Sequence, residues 1–218
     1  MIESGSRVDG TGNGQDFGKQ GEAASDASIL HPDVGFAYGA ELDEGRDRDP
    51  AQPAGANVSY GALAKNYPSY DDYPSKPDPF APDKTPIWDF IGGKVNENRD
   101  FFKNSCAIRL SHALNKSGLL IPFIPGETSS GTGPNGETWW YIPRLDDMSQ
   151  YLSSQFGKPQ SFTPEQFKKN KNSGVVIFQI PWNDATGHVD LWDGSNTIDG
   201  HNDYIGKSKR ILFWKLEN

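Results

Sequence analysis

Asn104-Ser105-Cys106-Ala107-Ile108-Arg109-Leu110-Ser111-His112-Ala113-Leu114-Asn115-Lys116-Ser117-Gly118 is the stretch on which the fold turns. Its spacing predicts a helix with the chain's only cysteine in the first turn. Asn104 or Ser105 can cap it by accepting a hydrogen bond from a free first-turn N–H. Gly118 can end it by entering the left-handed region that other residues resist. Cys106, Leu110, Ala113 and Leu114 share one face, so the helix packs inward on the side that carries the sulfur. A thiol at a helix N-terminus feels the positive end of the dipole, which favours the nucleophilic thiolate. A lone cysteine is more commonly a small buried hydrophobe. His112 faces another side of the helix and is expected to be solvated.

Working outward, 218 residues hold one large domain, or one domain and a tail. Hydrophobic content is only 34%, so part of the chain is expected to stay outside the core. The net charge of −8 argues against nucleic acid as the main partner. A single cysteine excludes an intrachain disulfide. No apolar run approaches the roughly 18 residues of a membrane span. The segment Met1-Ile2-Glu3-Ser4-Gly5-Ser6 lacks the basic start and apolar stretch of a signal peptide, so export is expected to proceed by another route.

Residues 1–54 read as a disordered acidic extension. They carry eleven Asp and Glu against four Lys and Arg, nearly all of the net charge. Their apolar residues are too sparse to offset the entropy of ordering. His31 lies there and has no expected role. The folded domain is expected over 55–218. It starts with a short helix capped by Ser59. Pro68, Pro74, Pro77, Pro79 and Pro82 then impose an extended, wrapping segment. Ile87 to Ile91 begins another helical turn. Pro122 to Trp140 reads as a long glycine-bearing loop, with Trp139 and Trp140 as either groove-lining or core aromatics.

Farther along, Asp146 to Phe156 predicts a helix stopped by Gly157. Thr163-Pro164-Glu165-Gln166 is a capping box with proline at the first helical position. Val175-Val176-Ile177-Phe178-Gln179-Ile180 fits a buried central strand. Gly187 to Asp193, Thr197 to His201 and Arg210 to Leu216 supply further strands. A cysteine-bearing helix followed by short strands in hairpin order predicts an α+β domain with an antiparallel sheet.

If the turn 193–196 pairs Trp192 with Thr197, alternation places His188, Asp190, Asp199 and His201 on one sheet face. His188 and Asp199 are then diagonal neighbours, about 7 Å apart. A thiol nucleophile needs a base, and the base needs an orienting carboxylate. The helix offers the first and the sheet the other two, though the pairing leaves open which aspartate reaches His188. The same four side chains also have the donor types of a metal site.

Asn104-Ser105-Cys106-Ala107-Ile108-Arg109-Leu110-Ser111 with Ala113 to Gly118, then Gly187-His188-Val189-Asp190-Leu191-Trp192-Asp193-Gly194, resembles the fourth family of type VI secretion amidase effectors. The similarity spans about residues 56–218. It implies a papain-like fold related to the NlpC/P60 peptidases, with Cys106 as nucleophile, His188 as base and Asp199 as the acidic member. Asp190 belongs to the motif; it, Trp139 and Trp140 are weaker substrate-side candidates. The implied activity is cleavage between D-glutamate and meso-diaminopimelate in peptidoglycan stem peptides, with no cofactor and no metal. The implied partners are type VI secretion components, which would deliver the protein into a rival's periplasm, and a cognate immunity protein. The acidic extension departs from the compact family pattern. Other readings of the same residues are a cysteine protease or transglutaminase acting on proteins, a non-catalytic cell-wall or partner-binding module, and a metal-dependent hydrolase.

Overall fold

The structure is a computed structural model that describes residues 58–102, 104–181 and 186–218. The expected acidic extension over 1–54, its boundary and His31 lie outside the described residues.

The cysteine-bearing helix, α4 (Cys106–Lys116), is the spine of the domain. Every residue from Cys106 to Asn115 is buried. The helix therefore has no solvated face, and only Lys116 reaches water. Gly118 sits at φ +92°, which lets the Gly118 N–H reach Asn115 O at 3.1 Å and the Leu119 N–H reach Leu114 O at 3.0 Å. These two bonds satisfy carbonyls that the helix end would otherwise leave bare. At the other end the expected side-chain cap does not form. Ser105 has φ −95° and ψ −1°, outside the extended region a cap needs. Its Oγ accepts instead from Arg109 Nε at 3.0 Å.

Behind α4 lies a four-stranded sheet of β3 (Gln160–Phe162), β4 (Gly174–Gln179), β5 (His188–Trp192) and β6 (Arg210–Lys215). The strand order is β3-β6-β4-β5 and every pairing is antiparallel. The expected α+β arrangement is the one observed. Alternation along the strands buries both faces. Val175, Ile177, Val189, Leu191, Leu212 and Trp214 pack toward α4 with Leu110 and Leu114. Val176, Phe178, Trp192, Ile211 and Phe213 pack on the far side against Phe167 and Ile205. This two-sided burial is why β4 reads as a continuous apolar run rather than an alternating one.

A third cluster covers the remaining side of α4. Ile87, Ile91, Val95, Ile108, Trp139 and Tyr141 meet there. They come from α2 (Ile87–Ile91), α3 (Gly93–Glu97), α4 and a hairpin of β1 (Ser129–Thr132) with β2 (Thr138–Tyr141). That hairpin falls largely within the segment 122–140, whose glycines predict a long loop. Ser129-Ser130-Gly131-Thr132 carries no apolar alternation, because Gly131 must admit Ile91 and Tyr141; a Cβ there would meet both at 2.6 Å. The hairpin and α2 also overturn the solvated placement of His112, which they enclose.

The other helices are α1 (Tyr60–Asn66), α5 (Leu145–Phe156), α6 (Pro164–Phe167) and α7 (Tyr204–Lys207). Ser59 Oγ caps α1, accepting from the Ala62 N–H at 3.1 Å. Both reciprocal bonds of the Thr163–Gln166 capping box are present on α6. The expected return strand over Thr197 to His201 shrinks to one bridge, Trp192 with Thr197. The Ile198 N–H still reaches Leu191 O at 3.0 Å, but the Leu191 N–H goes to Asp190 Oδ1 at 2.7 Å, and the ladder ends there.

Candidate active site

β5 is an edge strand, and its free backbone side faces the first turn of α4. There the Cys106 thiol accepts hydrogen bonds from the Val189 N–H and the Ala107 N–H, and is hydrogen-bonded to the His188 side chain. Val189 and Leu191 point at α4, so His188 and Asp190 project from the opposite face. His188 reaches round the strand edge to meet the thiol. Its ring leans on Tyr204, with centroids 4.8 Å apart.

The 193–196 turn brings the carboxylates to the other nitrogen of that ring. Asp193 Oδ1 accepts from the Ser195 and Asn196 N–H groups, both at 2.6 Å, and the Ile198 N–H reaches Leu191 O at 3.0 Å. Asp199 follows at once. Its Oδ2 lies 2.8 Å from His188 Nε2, a close ion-paired contact. Its Oδ1 accepts from the His201 N–H at 2.9 Å. Asp190 is fully buried; its Oδ2 is 3.7 Å from His188 Nε2 and accepts from the Asp199 N–H at 3.4 Å. Its Oδ1 accepts from the Leu191 N–H at 2.7 Å. With Nε2 given to the carboxylates, Nδ1 is the nitrogen left for Cys106.

The protonation pattern follows from these contacts. Burial alone would push the Cys106 thiol up, but the His188 hydrogen bond and charge, with the two backbone N–H groups, bring it below its ordinary value. Burial alone would lower His188, and Asp190, Asp199 and Cys106 together raise it well above the ordinary imidazole. The two shifts favour a thiolate–imidazolium pair. Desolvation and the neighbouring Asp199 push Asp190 up to about 7, whereas His188, Asp190 and the His201 N–H outweigh burial and hold Asp199 well below the usual carboxylate range. One carboxylate therefore stays charged beside the imidazolium while the other carries a proton much of the time.

Among the described residues, His188, Asp190 and Asp199 also form a group whose ligand-type atoms lie within 4.8 Å of one another. Nε2 and Asp199 Oδ2, at 2.8 Å, stand closer than the roughly 3.3 Å separating two ligands about 2.0 Å from a tetrahedral zinc. They fit an ion pair better than a metal. His201, the fourth residue of the metal reading, is exposed and outside the group.

The aromatic candidates lie elsewhere along α4. Trp139 is buried with Ile87 and Ile108, its ring 5.7 Å from that of His112. Trp140 is half-buried against Phe123 at 4.7 Å, and its carbonyl accepts from Asn115 Nδ2 at 2.8 Å. Asn115 is nine residues past Cys106, about 13 Å along the helix axis.

Two tyrosines with little signal in the sequence stand closer to the thiol. The Tyr67 hydroxyl is buried with no hydrogen-bond partner among the described residues, and burial first, then Asp190, Tyr70 and Cys106, raise it well above the ordinary phenol. Burial and Cys106 push Tyr70 up to about 12, against a hydrogen bond to Ser105 that works the other way. The only sequence signal is their place in a proline-bearing stretch, Tyr67 directly before Pro68 and Tyr70 two residues after it. A groove of about 580 Å³, lined in part by Ser75, Trp88, Arg99 and Phe102, opens beside this wall. Ser75 Oγ lies 3.1 Å from Ser105 Oγ, so the groove starts one residue from Cys106.

Residues 102–214 match the family model described as type VI secretion system (T6SS), amidase effector protein 4, or Tae4. Among solved structures, the Tae4–Tai4 effector–immunity complex from Salmonella Typhimurium is similar at 29% identity and a TM-score of 0.54, covering 75% of this chain and 98% of that one. Tae4 from Enterobacter cloacae in complex with Tai4 is 28% identical, with a TM-score of 0.52 over 76% of this chain and 99% of that one. Tae4 of Enterobacter cloacae alone is 30% identical, with a TM-score of 0.55 over 73% and 97%. No curated protein matches the chain in sequence.

Proposed function

This chain belongs to the Tae4 family of type VI secretion amidase effectors, and from that membership we propose that it cuts the bond between D-glutamate and meso-diaminopimelate in peptidoglycan stem peptides, using Cys106, His188 and Asp199. The helix on an antiparallel sheet is the papain-like, NlpC/P60-type arrangement. The observation that carries the proposal is a single chain of contacts. The Cys106 thiol is hydrogen-bonded to His188, and the far nitrogen of His188 meets Asp199 at 2.8 Å.

The Cys106 thiolate attacks the γ-glutamyl carbonyl. The carbonyl π electrons move to oxygen, where the Cys106 backbone N–H, at the first turn of α4, stabilises the developing charge. On collapse, the carbon–nitrogen bond breaks and His188 gives its proton to the leaving amine. His188, now neutral, takes a proton from water, which attacks the thioester and releases the new carboxylate and Cys106. Asp199 keeps the imidazole oriented and stabilises its charged form throughout.

Secretion by the type VI route follows from the family. We place the action in the periplasm of a target bacterium, where the substrate lies. The relatives crystallised with Tai4 support a cognate immunity protein that covers the site in kin. The residues 1–54 remain assigned to an acidic extension, separate from an amidase domain over 55–218.

The test is incubation of the purified protein with Gram-negative sacculi beside Cys106→Ala, the products being separated by chromatography with mass detection. Fragments split between D-glutamate and diaminopimelate with wild type only are expected. Cleavage by Cys106→Ala would remove the thiol from the mechanism, and intact stems with folded wild type would remove the substrate.

A further inference from the structure

Arg109 is fully buried, and among the described residues no carboxylate meets it. Its Nε donates to Ser105 Oγ at 3.0 Å. Nη1 donates to Pro68 O at 2.8 Å and Ser69 O at 2.9 Å, and Nη2 to Tyr73 O at 2.6 Å. Ser75 Oγ stands farther off, at 3.5 Å from Nη2. Every acceptor is neutral, so the guanidinium keeps its full charge in the interior. Removing an unpaired cation from water is expensive, and sealing the core alone would be done better by an apolar side chain. The arrangement calls for another use of the charge.

Two features supply it. Arg109 follows Cys106 by three residues, so the two side chains are neighbours on the helix surface. The three carbonyls belong to the proline-rich segment 68–75, which has no helix or strand of its own to hold it. That segment carries Tyr70, whose ring lies over the guanidinium with Cζ 3.7 Å from its centroid. The Tyr70 hydroxyl bonds to Ser105 and stands within electrostatic reach of Cys106 and His188. One side chain thus fixes the wall beside the nucleophile and places a permanent cation behind it.

We propose that Arg109 is a positioning residue of the amidase reaction: it clamps the 68–75 segment, with Tyr70, across the first turn of α4 and holds a fixed positive charge beside the Cys106 thiolate. The inference rests on Cys106 being the nucleophile. It also accounts for the choice of residue, since lysine offers a charge without a planar fork that can reach three carbonyls and a serine at once.

The test uses the full chain, in which Cys106 is the sole cysteine and its alkylation by iodoacetamide is unambiguous by mass. Rates are measured from pH 5 to 10 for wild type, Arg109→Met and Arg109→Lys, beside turnover of sacculi. Arg109→Met is expected to move the alkylation midpoint up by about one pH unit, and to lower turnover at least about tenfold. Arg109→Lys is expected to keep the midpoint closer to wild type while losing turnover, because charge and clamp separate. Folded Arg109→Met with the wild-type midpoint and wild-type turnover would overturn the proposal. If neither variant folds, Tyr70→Leu decides: it strips the ring from the guanidinium but leaves the carbonyl bonds. An unchanged melting midpoint with at least tenfold lower turnover supports the proposal, and unchanged turnover overturns it. Failure of the underlying reading looks different. Cys106→Ala would then still turn over, and wild-type Cys106 would alkylate slowly with an ordinary thiol midpoint.

Discussion

Lowering the pH from 7.5 to 5 should destabilise this protein through His112 by about 2 kcal/mol, and replacing that side chain should remove the effect. The ring is boxed in by Phe90 at 5.1 Å, Trp139 at 5.7 Å and Tyr141 at 6.3 Å between centroids, and Nδ1 lies 3.3 Å from the Tyr141 hydroxyl. Burial, and secondarily the Lys116 cation on the next turn, lower its pKa from 6.5 to about 4. The unfolded chain therefore binds the proton through a window in which the folded protein refuses it. This contribution is complete above about pH 6.5 and is lost as the pH falls toward about 4. At pH 5 the unfolded imidazole is almost wholly protonated and the folded one about a tenth protonated, which gives the 2 kcal/mol. Asp190, pushed up to about 7, acts in the opposite direction, so wild type alone cannot isolate the effect. Urea melts at both pH values for wild type and His112→Phe do so, because Asp190 is common to both. The variant should start roughly 1 kcal/mol less stable, having left the Tyr141 hydroxyl without its partner. Between pH 7.5 and 5 wild type should then lose about 2 kcal/mol more than the variant, or roughly 4–8 °C in melting temperature. Parallel pH profiles for the two proteins would refute the reasoning.

Two further outcomes are expected at the site. Asp199→Asn should cost about a hundredfold or more in turnover of sacculi, and Asp190→Asn about tenfold or less, because an amide resembles the protonated carboxyl that Asp190 holds much of the time; equal losses would put the orienting charge on both. Gly187→Ala should lower turnover at least about tenfold and stability by about 2–3 kcal/mol, since Gly187 sits at φ +151° and an added Cβ would meet Phe178 O at 2.0 Å, directly before His188. Wild-type values of both would show that the strand accommodates the methyl group by shifting.

The parts of this molecule that announced themselves in the sequence are those whose cause is local. Gly118 ends α4 because of its own backbone freedom, and Thr163 caps α6 because its partner Gln166 is three residues away. The apolar run of β4 is a direct record of a strand covered on two faces. The 193–196 turn fixes Trp192 opposite Thr197 from within one short segment, and that is enough to bring Asp199 toward His188. What was hidden has distant causes. His112 is buried by a hairpin some 20 residues downstream, whose own strand Ser129–Thr132 is too small and polar to read as one. Arg109 looks like a surface charge until the carbonyls of Pro68, Ser69 and Tyr73 close around it. The return strand stops after Thr197 because the Asp190 side chain takes the Leu191 N–H that would otherwise reach Ile198 O, a competition that alternation patterns do not register.

The order of strands in the sheet also sets a schedule. β5, which carries His188, joins the sheet only through β4, and β4's other neighbour is β6, the last of the four in chain order. Before residues 210–215 slot between β3 and β4, the segment holding His188 belongs to an isolated two-stranded ribbon, which is marginal in water. The spine helix then lacks the platform against which its thiol meets Val189 and the imidazole. The platform that brings His188 to Cys106 is therefore complete only with β6 in place between β3 and β4.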